Sequence, residues 1–210
     1  FTGKIPALLD KLFPNKVKPK HAVVTKLEPA LIKSPFAAIT QSGREMGMMN
    51  QTVCKMLKDL RKVIDGKADK ATVESIFEAE TKLDSAQTEV IGFLTGLLST
   101  SVSKSIANDA ERQLRMSDDL ETASDYVTQV LKLLLRMRDH NVAFDKVHQE
   151  DIVLLHESVE KLANDVTVVL ENPRNVQKLA DVRREGHEIT EQVREYRARH
   201  WGHVAEVNDD

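Results

Sequence analysis

Met116-Ser117-Asp118-Asp119-Leu120-Glu121-Thr122-Ala123-Ser124-Asp125-Tyr126 is the stretch on which the fold turns. It lies within residues 103–138. Taken in steps of three and four, Met116, Leu120, Ala123, Val127, Val130, Leu134 and Met137 form an unbroken apolar seam. That spacing predicts a long helix packed lengthwise against other helices. Beside the seam, Asp118, Glu121 and Asp125 fall at i, i+3 and i+7, so three carboxylates share one strip of the same helix. Like charges on one strip repel unless cations, a metal or solvent compensate. This helix therefore supplies both the core and the main candidate site.

The preceding segment reads as a second helix, capped by Asp69 and reaching about Thr100. Its seam is Val73, Ile76, Glu80, Leu83, Gln87, Val90, Leu94 and Leu97. Glu80 is a carboxylate at a seam position, which is costly unless paired, liganded or near solvent. Glu80-x-x-x-Asp84 here has the spacing of Glu121-x-x-x-Asp125 there. A short connection near residues 101–105 predicts antiparallel neighbours, with the two carboxylate pairs brought toward one another.

Upstream, Ser34 is a suitable N-cap and Pro35 a suitable first helical residue for a helix running to about Ile64. Its seam is Ile39, Ser42, Met46, Met49, Val53, Met56, Leu60 and Val63, and Asp65-Gly66 supplies the stop. Met46, Met48, Met49 and Met56 read as gap-filling core or near-core residues. Downstream, Asp139-His140-Asn141 ends the central helix. A fourth helix is predicted from about His148 to Leu170 along Ile152, Leu155, Val159, Leu162, Val166 and Val169. Asn172-Pro173 is expected to open a fifth, using Leu179, Val182, Gly186, Ile189, Val193 and Tyr196. This last hairpin buries its faces poorly alone. It calls for a further helix, a partner chain, or docking on the first three.

The expected fold class is thus all-α, built of long antiparallel helical bundles. Residues 35–140 form a three-helix bundle and residues 141–210 an incomplete second bundle, after an N-terminal stub and linker at 1–34. Ile5, Leu8, Leu9, Leu12 and Phe13 have helical spacing and are followed by Lys16, Lys18 and Lys20. The stub suits the last turns of a membrane helix leaving on the cytoplasmic side, a surface amphipathic helix, or a short docking helix. The chain opens on Phe1 with no signal-peptide pattern, as expected of a piece of a longer protein. Residues 21–34, with Glu28-Pro29 and Ser34-Pro35, read as a linker.

Composition agrees with helices. Among 210 residues aromatics are only 4%, with 8 Gly, 6 Pro and 30% charged residues. The net charge of −3 and the lack of a basic stripe argue against nucleic acid. A single cysteine, Cys54, cannot form an internal disulfide and suits a reducing compartment. No P-loop, GxSxG or dinucleotide fingerprint occurs. Nucleophilic catalysis has no support, and the chain reads as a non-enzyme.

Glu80, Asp84, Asp118, Glu121 and Asp125 are the candidate metal ligands, since oxygen donors on facing helices suit Mg²⁺, Mn²⁺, Ca²⁺ or iron. The alternative is two acidic faces paired with Lys and Arg. Asp181, Glu185 and Glu188, with Arg183, Arg184 and Arg194 nearby, read as ordinary surface pairing. No histidine has Glu three residues before it, as a four-helix di-iron enzyme would require; the nearest case is Asp145-x-x-His148. His200-x-x-His203 reads as a partly exposed pair. His140, His148 and His156 make no ligand pattern.

Met116 to Tyr126 resembles the LExxxDY signature of PhoU domains, which are three-helix bundles with ExxxD carboxylates. Glu80-x-x-Leu83-Asp84, with Glu89-Val90 and Phe93-Leu94, is similar to the acidic second helix of that unit. Leu31-Ile-Lys-Ser-Pro-Phe-Ala-Ala38, followed by Arg44-Glu45-Met46, resembles the start of the PhoU-like region of bacterial sodium/phosphate cotransporters. The resemblance covers roughly residues 31–203. It implies a regulatory domain at the cytoplasmic face of the plasma membrane, in a multi-pass sodium-dependent phosphate transporter. It implies Glu80, Asp84, Glu121 and Asp125 as holders of a divalent or trivalent metal (Mg, Mn, Fe or Zn). The implied partners are the membrane portion of the same chain and, as a further option, a second copy in a homodimer. The runners-up are a free-standing PhoU-type signalling adaptor and a carboxylate-metal helical-bundle enzyme. No sixth helix with another acidic motif appears before Asp210, so a second metal site is not expected.

Overall fold

The computed structural model describes residues 23–172 and 174–207, with side chains as far as His200. The stub expected over residues 1–20 lies outside the described residues. So do Pro173 and the side chains of Trp201 and His203. The described residues form five long helices and no strand: α1 (Pro35–Ile64), α2 (Lys70–Leu98), α3 (Lys104–Asp139), α4 (Lys146–Glu171) and α5 (Val176–Val207). The chain is an all-α helical bundle.

Helix ends follow local chemistry. Asp69, Ser103 and Asp145 each accept the backbone N–H three residues on, capping α2, α3 and α4. Pro35 stands at the first position of α1, where its missing N–H leaves no gap, but the Ser34 side chain makes no cap bond. At the other end Gly66 has φ +70°. Its N–H bonds the Val63 carbonyl at 3.0 Å and Lys67 N–H bonds the Lys62 carbonyl at 2.8 Å. This pair of bonds is a Schellman stop. Asn141 (φ 54°) ends α3 in the same way, with Val142 N–H on the Met137 carbonyl at 2.8 Å. The fifth helix does not begin at Asn172-Pro173. It starts at Val176, and Asn175 caps it through Lys178 N–H at 3.0 Å.

Among the described residues, α1, α2 and α3 pack mutually around one core, α4 lies against α1 and α5, and α5 touches α4 alone. α1 is therefore covered on two sides. Its predicted seam is buried from Ser42 to Leu60, and a second line (Glu45, Asn50, Cys54, Leu57) is buried beside it. Met48, expected in or near the core, is on the exposed side. The α2 seam holds, with Ile76, Leu83, Val90, Leu94 and Leu97 all buried.

α3 departs from its expected seam. Val130 is 41% exposed, whereas Leu131 is fully buried. The buried line is Ala110, Ser117, Leu120, Ser124, Val127, Thr128 and Leu131. Three of these are hydroxyl residues that an apolar count passes over. Each hydroxyl donates to a carbonyl of its own helix, Ser117 to Leu114, Ser124 to Glu121 and Thr128 to Ser124. Small, internally satisfied side chains let neighbouring helices approach closely without leaving orphaned polar atoms. Gln113 adds a tie to α1, with its amide donating to the Ile39 carbonyl at 3.1 Å while Ser42 hydroxyl bonds its oxygen.

Residues 141–210, expected as an incomplete second bundle, contribute the α4–α5 hairpin. α4 fully buries only Asp151 and His156, and its predicted apolar seam is half-buried throughout. A helix covered by one neighbour on each of two sides, with no third, shields neither line completely.

Residues 23–34, expected as linker, are strapped across α1 and α2. The Glu89 carboxylate accepts both Val24 N–H and Thr25 N–H at 2.9 Å, and the Thr25 hydroxyl as well. Glu45 accepts Lys26 N–H at 3.0 Å, while Gln41 bridges the Lys26 carbonyl and Glu28 N–H. A single 3-10 turn, Pro29–Lys33, then seats Leu31 and Ile32 on the core.

Candidate functional site

The acidic face is built by the antiparallel pairing of α2 and α3. Gln87 Nε2 donates to Asp118 Oδ1 at 2.9 Å, which fixes the register. One turn further along each helix, in opposite directions, Asp84 comes level with Glu121. Another turn brings Glu80 level with Asp125. Glu80, Asp84, Glu121 and Asp125 are half-buried, and Asp118 is exposed. The structure thus brings both ExxxD pairs to one face.

Electrostatics follow from this crowding. Burial pushes the Glu80 carboxyl above its usual range, with Asp125 and Asp84 adding to the rise, while Thr81 and Lys132 oppose it. Glu121 is also raised, first by burial and then by Asp125, Asp84, Glu80 and Asp118 in turn. Thr81 hydroxyl reaches Glu80 Oε2 at 3.3 Å. Lys132 sits 5.9 Å from the Phe77 ring centroid, where it lends positive potential and covers an apolar edge. The face is a region of concentrated negative charge.

As placed, these carboxylates do not close around one point. Among the described residues, no three His, Cys, Asp or Glu side chains form a group that could hold a metal ion. Asp118 is engaged by Gln87 instead. The all-oxygen donor set suits a hard, hydrated cation such as Mg²⁺, which keeps several waters and needs only one or two carboxylates. Zn²⁺, which takes nitrogen and sulfur ligands, fits this set less well.

The other sites read from sequence resolve differently. Asp181 pairs with Arg184 at 2.9 Å, Glu188 with Arg184 at 3.6 Å, and Glu185 with Lys161, so this strip is ordinary charge pairing. Lys178 and Lys161 hold Asp165 down to about 2 and lace α4 to α5. His148, expected at the start of the fourth helix, lies in the first turn of α4. Its Nδ1 meets Asp145 Oδ2 at 2.5 Å and its Nε2 meets His200 Nδ1 at 2.7 Å. Arg199 reaches Asp151 at 2.7 Å beside it. Together these contacts tie the far end of α5 to the start of α4.

Sequence reasoning missed three polar features. The strap carboxylates Glu45 and Glu89 receive backbone N–H groups, and extended backbone carries no periodic signal. Asn50 Nδ2 donates to Thr167 Oγ1 at 2.8 Å and to the Ala163 carbonyl at 3.0 Å, joining α1 to α4. The third is His156, buried one position along from a predicted seam residue.

The fold and the acidic α2–α3 face define an all-α helical-bundle protein with a concentrated carboxylate surface. No family model, curated protein or solved structure matches the chain. No helix among the described residues is long and apolar enough to cross a membrane.

Proposed function

We propose that this chain is a non-catalytic regulatory domain that acts on a sodium-dependent phosphate transporter from the cytoplasmic face of the plasma membrane. The observation that carries this reading is the meeting of the two ExxxD pairs, Glu80/Asp84 and Glu121/Asp125, on adjacent antiparallel helices. It joins the sequence resemblance to PhoU-like domains of bacterial sodium/phosphate cotransporters. The mutual repulsion of these carboxylates disfavours close α2–α3 packing at this level. A hydrated divalent cation would relieve it, because the charge it neutralises is already assembled. Cation loading then tightens the bundle, and the membrane portion of the transporter reads the difference between loose and tight states. A ligand shifts such an equilibrium only by its differential affinity for the two states, and the carboxylate face supplies that difference.

The test is a titration of the chain with Mn²⁺ and Mg²⁺, followed by thermal unfolding and by Mn²⁺ relaxation, in wild type and in Glu80→Gln/Glu121→Gln. A rise in Tm with cation that the double variant lacks supports the reading. An equal response in both removes the cation step. Reconstituted phosphate uptake, with and without this domain, tests the transporter assignment separately; unchanged uptake refutes it.

A further inference from the structure

Among the described residues, the outer hairpin is attached to the other helices through one seam, because α4 packs on α1 and α5 packs on α4 alone. That seam is unusually polar. Asn50 bonds Thr167 and the Ala163 carbonyl, Cys54 Sγ lies 3.9 Å from Thr167 Oγ1, Arg61 pairs with Glu157 at 2.8 Å, and Gln149 donates to the Ile64 carbonyl at 3.0 Å. Within it sits His156, 7% exposed. The Leu57 backbone hydrogen-bonds its ring. Its Nε2 is buried with no hydrogen-bond partner. The nearest carboxylate oxygen to that nitrogen, Glu160 Oε2, is 3.9 Å away, beyond hydrogen-bond range.

The charged groups acting on it are few. From α1 comes Arg61, and from α4 itself come Glu157 and Glu160; Cys54, on which Lys58 and Glu160 act, lies in the same seam. Arg61 disfavours a second cation, and Glu157 is already committed to it. Glu160 and Glu157 favour an imidazolium, as does the Leu57 backbone bond, but none of them gives Nε2 a hydrogen bond. A buried nitrogen left unbonded is tolerable in a neutral ring and much less so in a charged one.

We propose that His156 is a proton-operated release for the outer hairpin: protonating it drives α4, carrying α5, off α1 and uncovers the Asn50–Cys54–Leu57 face. This does not rest on the reading of the acidic face. Its direction is fixed by linkage. Burial holds the docked His156 below the ordinary histidine range, with Arg61 acting the same way and Glu160, the Leu57 backbone bond and Glu157 against it. The undocked ring takes up its proton near pH 6.5. Docking is therefore strongest above about pH 6.5 and weakens as pH falls below it, until the docked ring titrates too.

Cys54, 5% exposed in the same seam, is a built-in reporter. The full chain is reacted with 4,4′-dithiodipyridine, which labels thiols in acid, from about pH 7.5 to about pH 5. Each rate is divided by that of the urea-unfolded chain, which removes intrinsic thiol chemistry. The normalised rate is expected to rise as pH falls, by at most about tenfold per pH unit for one proton. Helical circular dichroism is expected to hold, since hairpin release leaves the helices formed. His156→Leu should abolish the rise. A flat or falling rate in wild type, a rise that survives in His156→Leu, or a rise that coincides with loss of helix overturns the proposal.

Discussion

The rotation of α3 about its own axis can be tested by two neighbouring substitutions. Leu131 is fully buried and Val130 is 41% exposed, although heptad counting favours Val130. Truncating a buried leucine removes its transfer free energy and leaves a cavity that the surroundings only partly refill. Leu131→Ala should therefore cost about 3 kcal/mol. For a chain of this size that is a fall in Tm of about 6–12 °C. Val130→Ala removes less surface from a side chain already in water and should cost about 0.5 kcal/mol. Urea unfolding followed at 222 nm gives both values, with an unchanged m confirming that only stability has moved. Equal costs, or a larger cost at Val130, would mean that α3 is turned by about 100°, one residue's worth of helix. That would swing Glu121 and Asp125 away from α2 and dismantle the acidic face.

Three further outcomes follow from the same contacts. Glu121→Gln should stabilise the chain by about 0.5 kcal/mol at neutral pH. Because the folded-state carboxyl is raised, its charged form opposes folding, so the gain should disappear in thermal melts near pH 4. Asn50→Ala deletes a side chain that bonds two groups of α4 and should cost about 1–3 kcal/mol, with accelerated Cys54 labelling at neutral pH; labelling as slow as wild type would refute the role of Asn50 as the seam's anchor. Gly66→Ala meets no atom within 4 Å and suffers only from φ +70°, so chemical denaturation should show a loss of about 1 kcal/mol and no more than about 2.

The helices were legible because each is long, strongly periodic and marked at its ends by residues with one clear job, such as Asp69, Gly66 and Asn141. The antiparallel pairing of α2 with α3 was also legible from the short connection between them, but its register was not: equal ExxxD spacings do not set it, and the Gln87–Asp118 contact shows it. What stayed hidden was polar. Ser117, Ser124 and Thr128 are core residues in this packing, but a hydroxyl satisfied by its own helix looks like surface in a sequence. The orientation of α4 was not readable for the same reason: Asp151 and His156 are its buried residues, and its apolar line is shared between two partners. The strap depends on Glu45 and Glu89 receiving backbone N–H groups, a contact that every residue but proline can make and that no side-chain pattern marks.

That strap also gives the molecule a direction of mechanical strength. Tension applied at residue 23 meets the Glu89 carboxylate first, where two amides and a hydroxyl are held by one side chain. Glu89 lies two-thirds of the way along α2, whereas the next holding point, Glu45, is on α1. A pull is thus delivered to two helices of the core together, and these bonds must be broken before α1 can peel from its first turn. Among the described residues, a load applied through α5 meets only the α4 seam. The two ends of the described chain should yield at different forces, and the outer hairpin should part first.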